Sequence, residues 1–145
     1  MNKEIDFESR LKLIFGFSSQ EEFSAKFSTD IACLEWLSQH KWENGFVCRK
    51  CGNTNFCDGP EPFSRRCTRC KRTESATAHT AFHRCKIPLS VAFNLLYQTV
   101  EESGDSIRVV ARKNELRNMT CWRLIHKFQS CMHENDCRKL FGKTE

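Results

Sequence analysis

The order of apolar and polar positions divides the 145-residue chain into helical ends and a middle without a helical period. Near the start, "SSQEEFSAKF" offers Ser18 or Ser19 as an N-cap, with Glu21 or Glu22 three residues on. That spacing forms a capping box, in which the hydroxyl and the glutamate each satisfy an open backbone amide. "STDIACLEWLSQHKW" starts a second helix near Thr29, with Ile31, Leu34 and Leu37 as an apolar stripe and Cys33 and Trp36 beside them. Cys33 reads as a small core residue of that stripe. Asn44-Gly45 breaks the pattern with a turn signal. From there to Cys85, turn formers, cysteines and short polar runs suit small strands. Helical order returns in "KIPLSVAFNLLYQTVEES", where Pro88 suits the first turn and Phe93, Leu96, Tyr97 and Val100 keep helical spacing up to Ser103-Gly104. "DSIRVVARKNEL" predicts a short helix capped by Asp105 or Ser106, with Ile107, Val110 and Ala111 inward. "RNMTCWRLIHKFQSC" predicts a third, with Cys121, Leu124, Ile125 and Phe128 on its core face and Trp122 adjoining.

Charge follows the same division. Residues 1–43 hold five Lys/Arg against eight Asp/Glu, and residues 44–145 hold eighteen against ten. The basic part begins where the cysteine pairs begin. Such asymmetry points to an anionic partner, most often nucleic acid, or to a solvated surface. No stretch approaches the roughly 18–20 apolar residues of a membrane span. The N-terminal "MNKEIDFESRLKLIFGF" has acids and no apolar run leading to a cleavage site, so neither a membrane nor secretion is expected. The expected setting is the cytoplasm, at the nucleoid, where thiols stay reduced.

Ten cysteines are many for this length. Cys48, Cys51, Cys67 and Cys70 form C-x2-C-x15-C-x2-C, a spacing in the range of a tetrahedral zinc site. A Cys-x-x-Cys turn points both sulfurs to one side, and Gly52 allows the tight bend after the first pair. Two facing turns give four thiolates at about 2.3 Å from one structural Zn2+, with no open coordination position. The metal would supply folding free energy that so small a segment cannot obtain by burial. A redox pair and an iron–sulfur centre are the alternatives. Cys57 is a spare thiol, while Cys85, Cys121, Cys131 and Cys137 read as structural or free. His79 and His83, in "HTAFH", lack ligand-like spacing to another candidate.

Between residues 48 and 72, seven basic side chains face two acidic ones. Arg49, Lys50, Arg65, Arg66, Arg69, Lys71 and Arg72 on a rigid metal scaffold are suited to phosphates, with a solvated rim as the alternative. The two last helices, joined near "LRN", resemble a helix-turn-helix, although many three-helix cores do. The outer face of the second would present Asn118, Arg123 and Lys127, with Arg117 and Thr120 at its start, to a major groove. The fold class expected is a small α+β protein: short N-terminal helices in 1–43, a four-cysteine zinc ribbon of short strands in 44–86, a helix-turn-helix-like bundle in 87–130, and a C-terminal tail, 131–145.

From about Phe27 to Gln129 the sequence resembles the N-terminal half of bacterial insertion-sequence transposases of the DDE type that carry an N-terminal zinc ribbon. "KWENGFVCRKCG" is similar to the family's Trp-x-x-Gly-Phe-x-Cys-Pro-x-Cys-Gly pattern, with Arg49 where proline is usual. "RRCTRCKRTESATAHTAFHRCKIPL" is similar to the second knuckle, the threonine-rich strand and the Phe-His-x-x-x-x-Pro-Leu link, with His79 where glycine is usual. "TCWRLIHKF" is similar to the recognition segment. Family members continue into a nuclease domain whose carboxylates hold two metal ions. Here fifteen residues follow Ser130, with Glu134, Asp136 and Glu145 as acids. The expectation is therefore a non-enzymatic binder of double-stranded DNA at transposon ends or an operator, with a transposase or a second copy of the chain as protein partner. The rivals are the binding subunit of a split transposase, a protein adaptor, an RNA binder that stacks bases on Phe56 or Phe63, and a remnant without function.

Overall fold

The computed structural model describes residues 15–16, 19–83, 85–101, 105–133 and 138–141. The expectations for Ser18, Ser103-Gly104, Cys137 and the acids of the tail lie outside the described residues, as does the Val100 side chain.

Two helices open the described chain, α1 (Gln20–Lys26) and α2 (Asp30–Lys41). Their caps are those the spacing predicts: Ser19 Oγ accepts from the Glu22 amide and Thr29 Oγ1 from the Ala32 amide, each at 3.2 Å. The buried face of α2 is Cys33, Leu37, Ser38 and Lys41. Ile31 was expected in this stripe but is 52% exposed. At about 100° per residue it lies roughly 120° round the helix from Leu37.

Three short strands follow: β1 (Phe56–Asp58), β2 (Arg65–Cys67) and β3 (Thr73–Glu74), antiparallel in the order β1-β2-β3. The register pairs Cys57 with Arg66 and Arg66 with Thr73. Gly59 extends the β1–β2 ladder by donating to the Ser64 carbonyl at 3.0 Å. A Cβ at Gly59 would collide with Ser64 Oγ, so the close approach of these strands requires glycine.

Helix α3 (Leu89–Glu101) starts one residue after Pro88, whose carbonyl accepts from the Ala92 amide at 3.1 Å. The Asp30 carboxylate accepts from the Ser90 amide at 3.0 Å, so the first residue of α2 also satisfies an open amide of α3. Helix α4 (Ile107–Lys113) is capped by Ser106. It ends in a Schellman motif: Leu116 donates to the Ala111 carbonyl at 2.8 Å and Glu115 to Arg112 at 3.2 Å, with Glu115 left-handed at φ 56°. Helix α5 (Asn118–His133) then begins, and α6 (Arg138–Phe141) ends the described chain.

The helices share one core. Phe15, Phe23, Phe27, Phe82, Phe93, Phe128 and Phe141 are buried in it with Cys33, Leu37, Leu96, Ala111, Cys121 and Leu140. Phe15 meets Phe23, Phe27, Phe93 and Phe141 edge to face at 5.3–6.0 Å. Such pairs each add about 0.5–1.5 kcal/mol beyond area burial. Ala76, Ala81 and Phe82 carry the segment after β3 into the same core, and the Ala81 amide donates to the Leu140 carbonyl at 3.1 Å. A separate small cluster of Trp42, Phe46, Cys48 and Cys67, with Cys51 and Cys70 packed against it, centres the ribbon. The whole is a small α+β fold with a four-cysteine zinc ribbon.

Candidate metal centre and nucleic-acid interface

The two Cys-x-x-Cys turns are built alike. Gly52 donates to the Cys48 carbonyl at 2.9 Å, and Lys71 donates to the Cys67 carbonyl at 3.1 Å. The first cysteine of each turn donates to the carbonyl five residues on, Cys48 to Asn53 and Cys67 to Arg72, both at 2.9 Å. The residue after each second cysteine is left-handed, Gly52 at φ 77° and Lys71 at φ 66°. Glycine adopts that geometry freely, and lysine adopts it at a cost.

These turns bring the four sulfurs within 4.8 Å of one another, the one such cluster of metal-binding side chains among the described residues. Cys48 Sγ lies 3.5 Å from Cys70 Sγ, and Cys51 Sγ lies 3.5 Å from Cys67 Sγ. A tetrahedron with Zn–S of about 2.3 Å needs S···S near 3.8 Å, so the cysteines fit zinc with little adjustment. None of the four is in a disulfide. They form a zinc-ribbon site for one structural zinc, which when bound ties the two turns together and leaves no position for substrate.

The surroundings favour thiolate. Burial opposes ionisation of Cys67, but the Cys70 amide, the Asn53 side chain and the Arg69 amide donate to its sulfur and set the thiol at about 5. The Cys51 amide donates to Cys48 and, against burial, holds that thiol below its ordinary value. At Cys51 the Asn53 amide is outweighed by burial and by the neighbouring sulfurs, which push the thiol up to about 11. Four sulfurs so close cannot all be anionic without a cation among them.

The other cysteines behave as expected of structural residues. Cys33, Cys121 and Cys131 are buried, and burial followed by the Asp30 charge pushes Cys33 up to about 12. Cys57 is exposed on β1.

The predicted phosphate-binding residues divide into two groups. Lys50, Arg66, Arg69, Lys71 and Arg72 are exposed on the turns and on β2. The guanidinium of Arg65 is stacked over Trp42 and Phe56, 4.6 and 4.1 Å from the ring centres. Arg49 donates through Nε to Glu74 Oε1 at 2.8 Å. Glu74 is a hub that the sequence reading missed. Lys41 Nζ lies 2.9 Å from Glu74 Oε2 and donates to the carbonyls of Ser75 at 3.1 Å and Ala78 at 2.6 Å. His79 stands 3.8 Å from the same carboxylate, at φ 63°, the left-handed conformation that glycine takes without strain. Burial, then the charge of Arg49, holds the His79 imidazole below its ordinary pKa, with Glu74 opposing. The hub fastens the last turn of α2 to β3 and the first cysteine turn. A signal was present: Glu74 is the single acid between residues 62 and 100, and Lys41 falls four residues after Leu37 on the buried face.

On α5 the core face is Cys121, Leu124, Ile125, Phe128 and Cys131. Arg123 and Lys127 are exposed, Thr120 is half-buried, Asn118 is exposed, and Arg117 is exposed just ahead of the helix. The sequence of α5 contains no acidic residue. Thr120, Arg123 and Lys127 line one open groove together with Lys86 and Trp122, and Asn118 and Arg117 are not part of it. Trp122 does not belong to the core: it is 45% exposed, with the His126 ring 4.4 Å away.

Residues 28–73 match the family model described as the transposase zinc-ribbon domain. The match runs from the cap of α2 through both cysteine turns to the first residue of β3. No curated protein and no solved structure matches the chain. No helix among the described residues is long and apolar enough to cross a membrane. With the four cysteines gathered inside the matched span, residues 28–73 are similar to a transposase-type zinc ribbon and hold its four-cysteine site.

Proposed function

We propose that the protein binds double-stranded DNA at transposon ends or an operator, without strand transfer. The observation that carries this reading is the transposase-type ribbon followed in the same chain by a helix whose exposed face is basic and free of acids. Lys50, Arg66, Arg69, Lys71 and Arg72 grip backbone phosphates, the arginines through bidentate forks. Arg65 and Arg49 act differently. Stacking on two rings and pairing with Glu74 fix their guanidinium groups in place, so they offer preset charge with little ordering cost.

Helix α4, its turn and α5 serve as the helix-turn-helix. Over sixteen residues α5 is about 24 Å long, enough to lie in a major groove. Arg123 and Lys127 suit guanine, Asn118 suits adenine, and Arg117 and Thr120 approach from the start of the helix. A chain seated at an element end competes there with a full-length transposase, in the cytoplasm.

The test is capture of sheared genomic DNA by zinc-loaded protein at near-physiological salt, with sequencing of the bound fragments. Enrichment of repeated element ends or of one promoter supports the reading. Binding that shows a steep salt dependence but no enrichment reduces it to unspecific phosphate attraction. Absence of any binding overturns it.

A further inference from the structure

The outer face of α5 is not a free convex ridge. Ala81, His83, Cys85 and Lys86 stand beside it, and between them and the helix lies an open groove of about 560 Å3. That is within the range of sites that enclose a small-molecule-sized group, about 300–1,000 Å3. Ala81 and Leu124 contribute apolar surface to it, while Lys86 on one wall and Arg123 and Lys127 on the other bring positive charge from two separate elements. Among the described residues no carboxylate lines it. Trp122, also in the lining, is half exposed, and the His126 ring meets it at an interplanar angle of 61°.

Cations around a concave apolar surface with an exposed indole suit a ligand that has both an anionic group and a bare aromatic face. Bases within a duplex hide their faces in the stack and offer only edges and phosphates. An unpaired nucleotide offers a phosphate and a free base face together. We propose that this groove holds an unpaired nucleotide of a DNA single strand, its base against Trp122 and its phosphates held by Lys86, Arg123 and Lys127. The site shares Arg123 and Lys127 with the duplex-reading helix but does not depend on duplex binding. It fits a strand end or an opened base pair beside a bound duplex.

Tryptophan emission of the zinc-loaded full chain, titrated with a short oligothymidylate at fixed salt, tests this. Trp42 is buried and Trp36 half-buried, so Trp122 is the exposed reporter. The oligonucleotide is expected to quench the emission, and Trp122→Phe is expected to abolish the quench while a labelled strand still binds. Trp122→Ala and, independently, Lys86→Ala are expected to weaken single-strand binding on the order of tenfold each. Unchanged emission, or both alanine variants binding as tightly as the parent, overturns the proposal. So does thymidine monophosphate competing as well as the strand, because the ligand would then be a free nucleotide. Duplex binding by the same proteins is a separate readout. Its absence beside intact single-strand binding removes the function proposed above and leaves the groove assignment standing.

Discussion

Replacing Lys41 by Met should be among the most damaging single changes outside the metal site. The Lys41 side chain is 1% exposed, and its ammonium faces three acceptors: Glu74, the Ser75 carbonyl and the Ala78 carbonyl. Burial lowers the pKa of the ammonium, with the Glu74 carboxylate opposing that shift, so the intact pair gives little net stability. Removing one partner is another matter. Methionine fills the volume but leaves one carboxylate oxygen and the Ala78 carbonyl without their donor, while the Ser75 carbonyl keeps the Ala78 amide at 3.2 Å. Breaking a buried pair in this way costs about 3–5 kcal/mol. Glu74 is 11% exposed and keeps Arg49 on its other oxygen, which places Lys41→Met at the low end, near 3 kcal/mol. For a chain of this size that lowers Tm by roughly 10 °C. Urea unfolding under saturating zinc, followed by helical circular dichroism, measures the loss without confounding it with metal release. The double variant Lys41→Met, Glu74→Gln should lose less than the sum of the singles, with a coupling of about 2 kcal/mol. A Lys41→Met protein within about 0.5 kcal/mol of the parent would refute the assignment of this hub as a buried, fully used ion pair.

Zinc affinity should fall by at least about tenfold for each pH unit of acidification from 8 to 6, because Cys51, raised to about 11 without metal, alone gives up one proton when zinc binds; an indicator-competition titration flat in pH would contradict this. Chelation should unfold the ribbon, whose own core is Trp42 and Phe46, yet leave most of the helical signal, since the helices share a different core; equal loss of both on circular dichroism and tryptophan emission would show one cooperative unit. Lys71→Gly should act in opposite directions, stabilising the second turn by about 1 kcal/mol through relief of the φ 66° backbone while flattening the salt slope of DNA binding by about one phosphate contact. Gly59→Ala should cost about 2 kcal/mol in denaturant melts, because its Cβ meets Ser64 Oγ in the hairpin.

What could be read in the sequence was local. The caps Ser19, Thr29 and Ser106 lie within three residues of the amides they satisfy. The four cysteines announce themselves by spacing, because a Cys-x-x-Cys turn is determined by its own backbone and two such turns need only a metal to join them. The stripe Cys121, Leu124, Ile125 and Phe128 was legible for the same reason, one helix face being set by period alone. Contacts across 34 or 37 residues, such as Lys41 to Ser75 and Ala78, have no such signature. A lysine at the end of a helix looks solvated until the chain that covers it is placed. The same limit hid the role of the stretch that carries Ala81, His83, Cys85 and Lys86. Read alone it is a link between ribbon and helix; packed against α5 it brings Lys86 opposite Arg123 and Lys127 and turns a ridge into a groove. Trp122 shows the difference most clearly. Its place one residue from Cys121 suggested that it adjoined the core, yet a single residue is about 100° of rotation, and that is enough to carry the indole to the charged side of the helix, where it is 45% exposed.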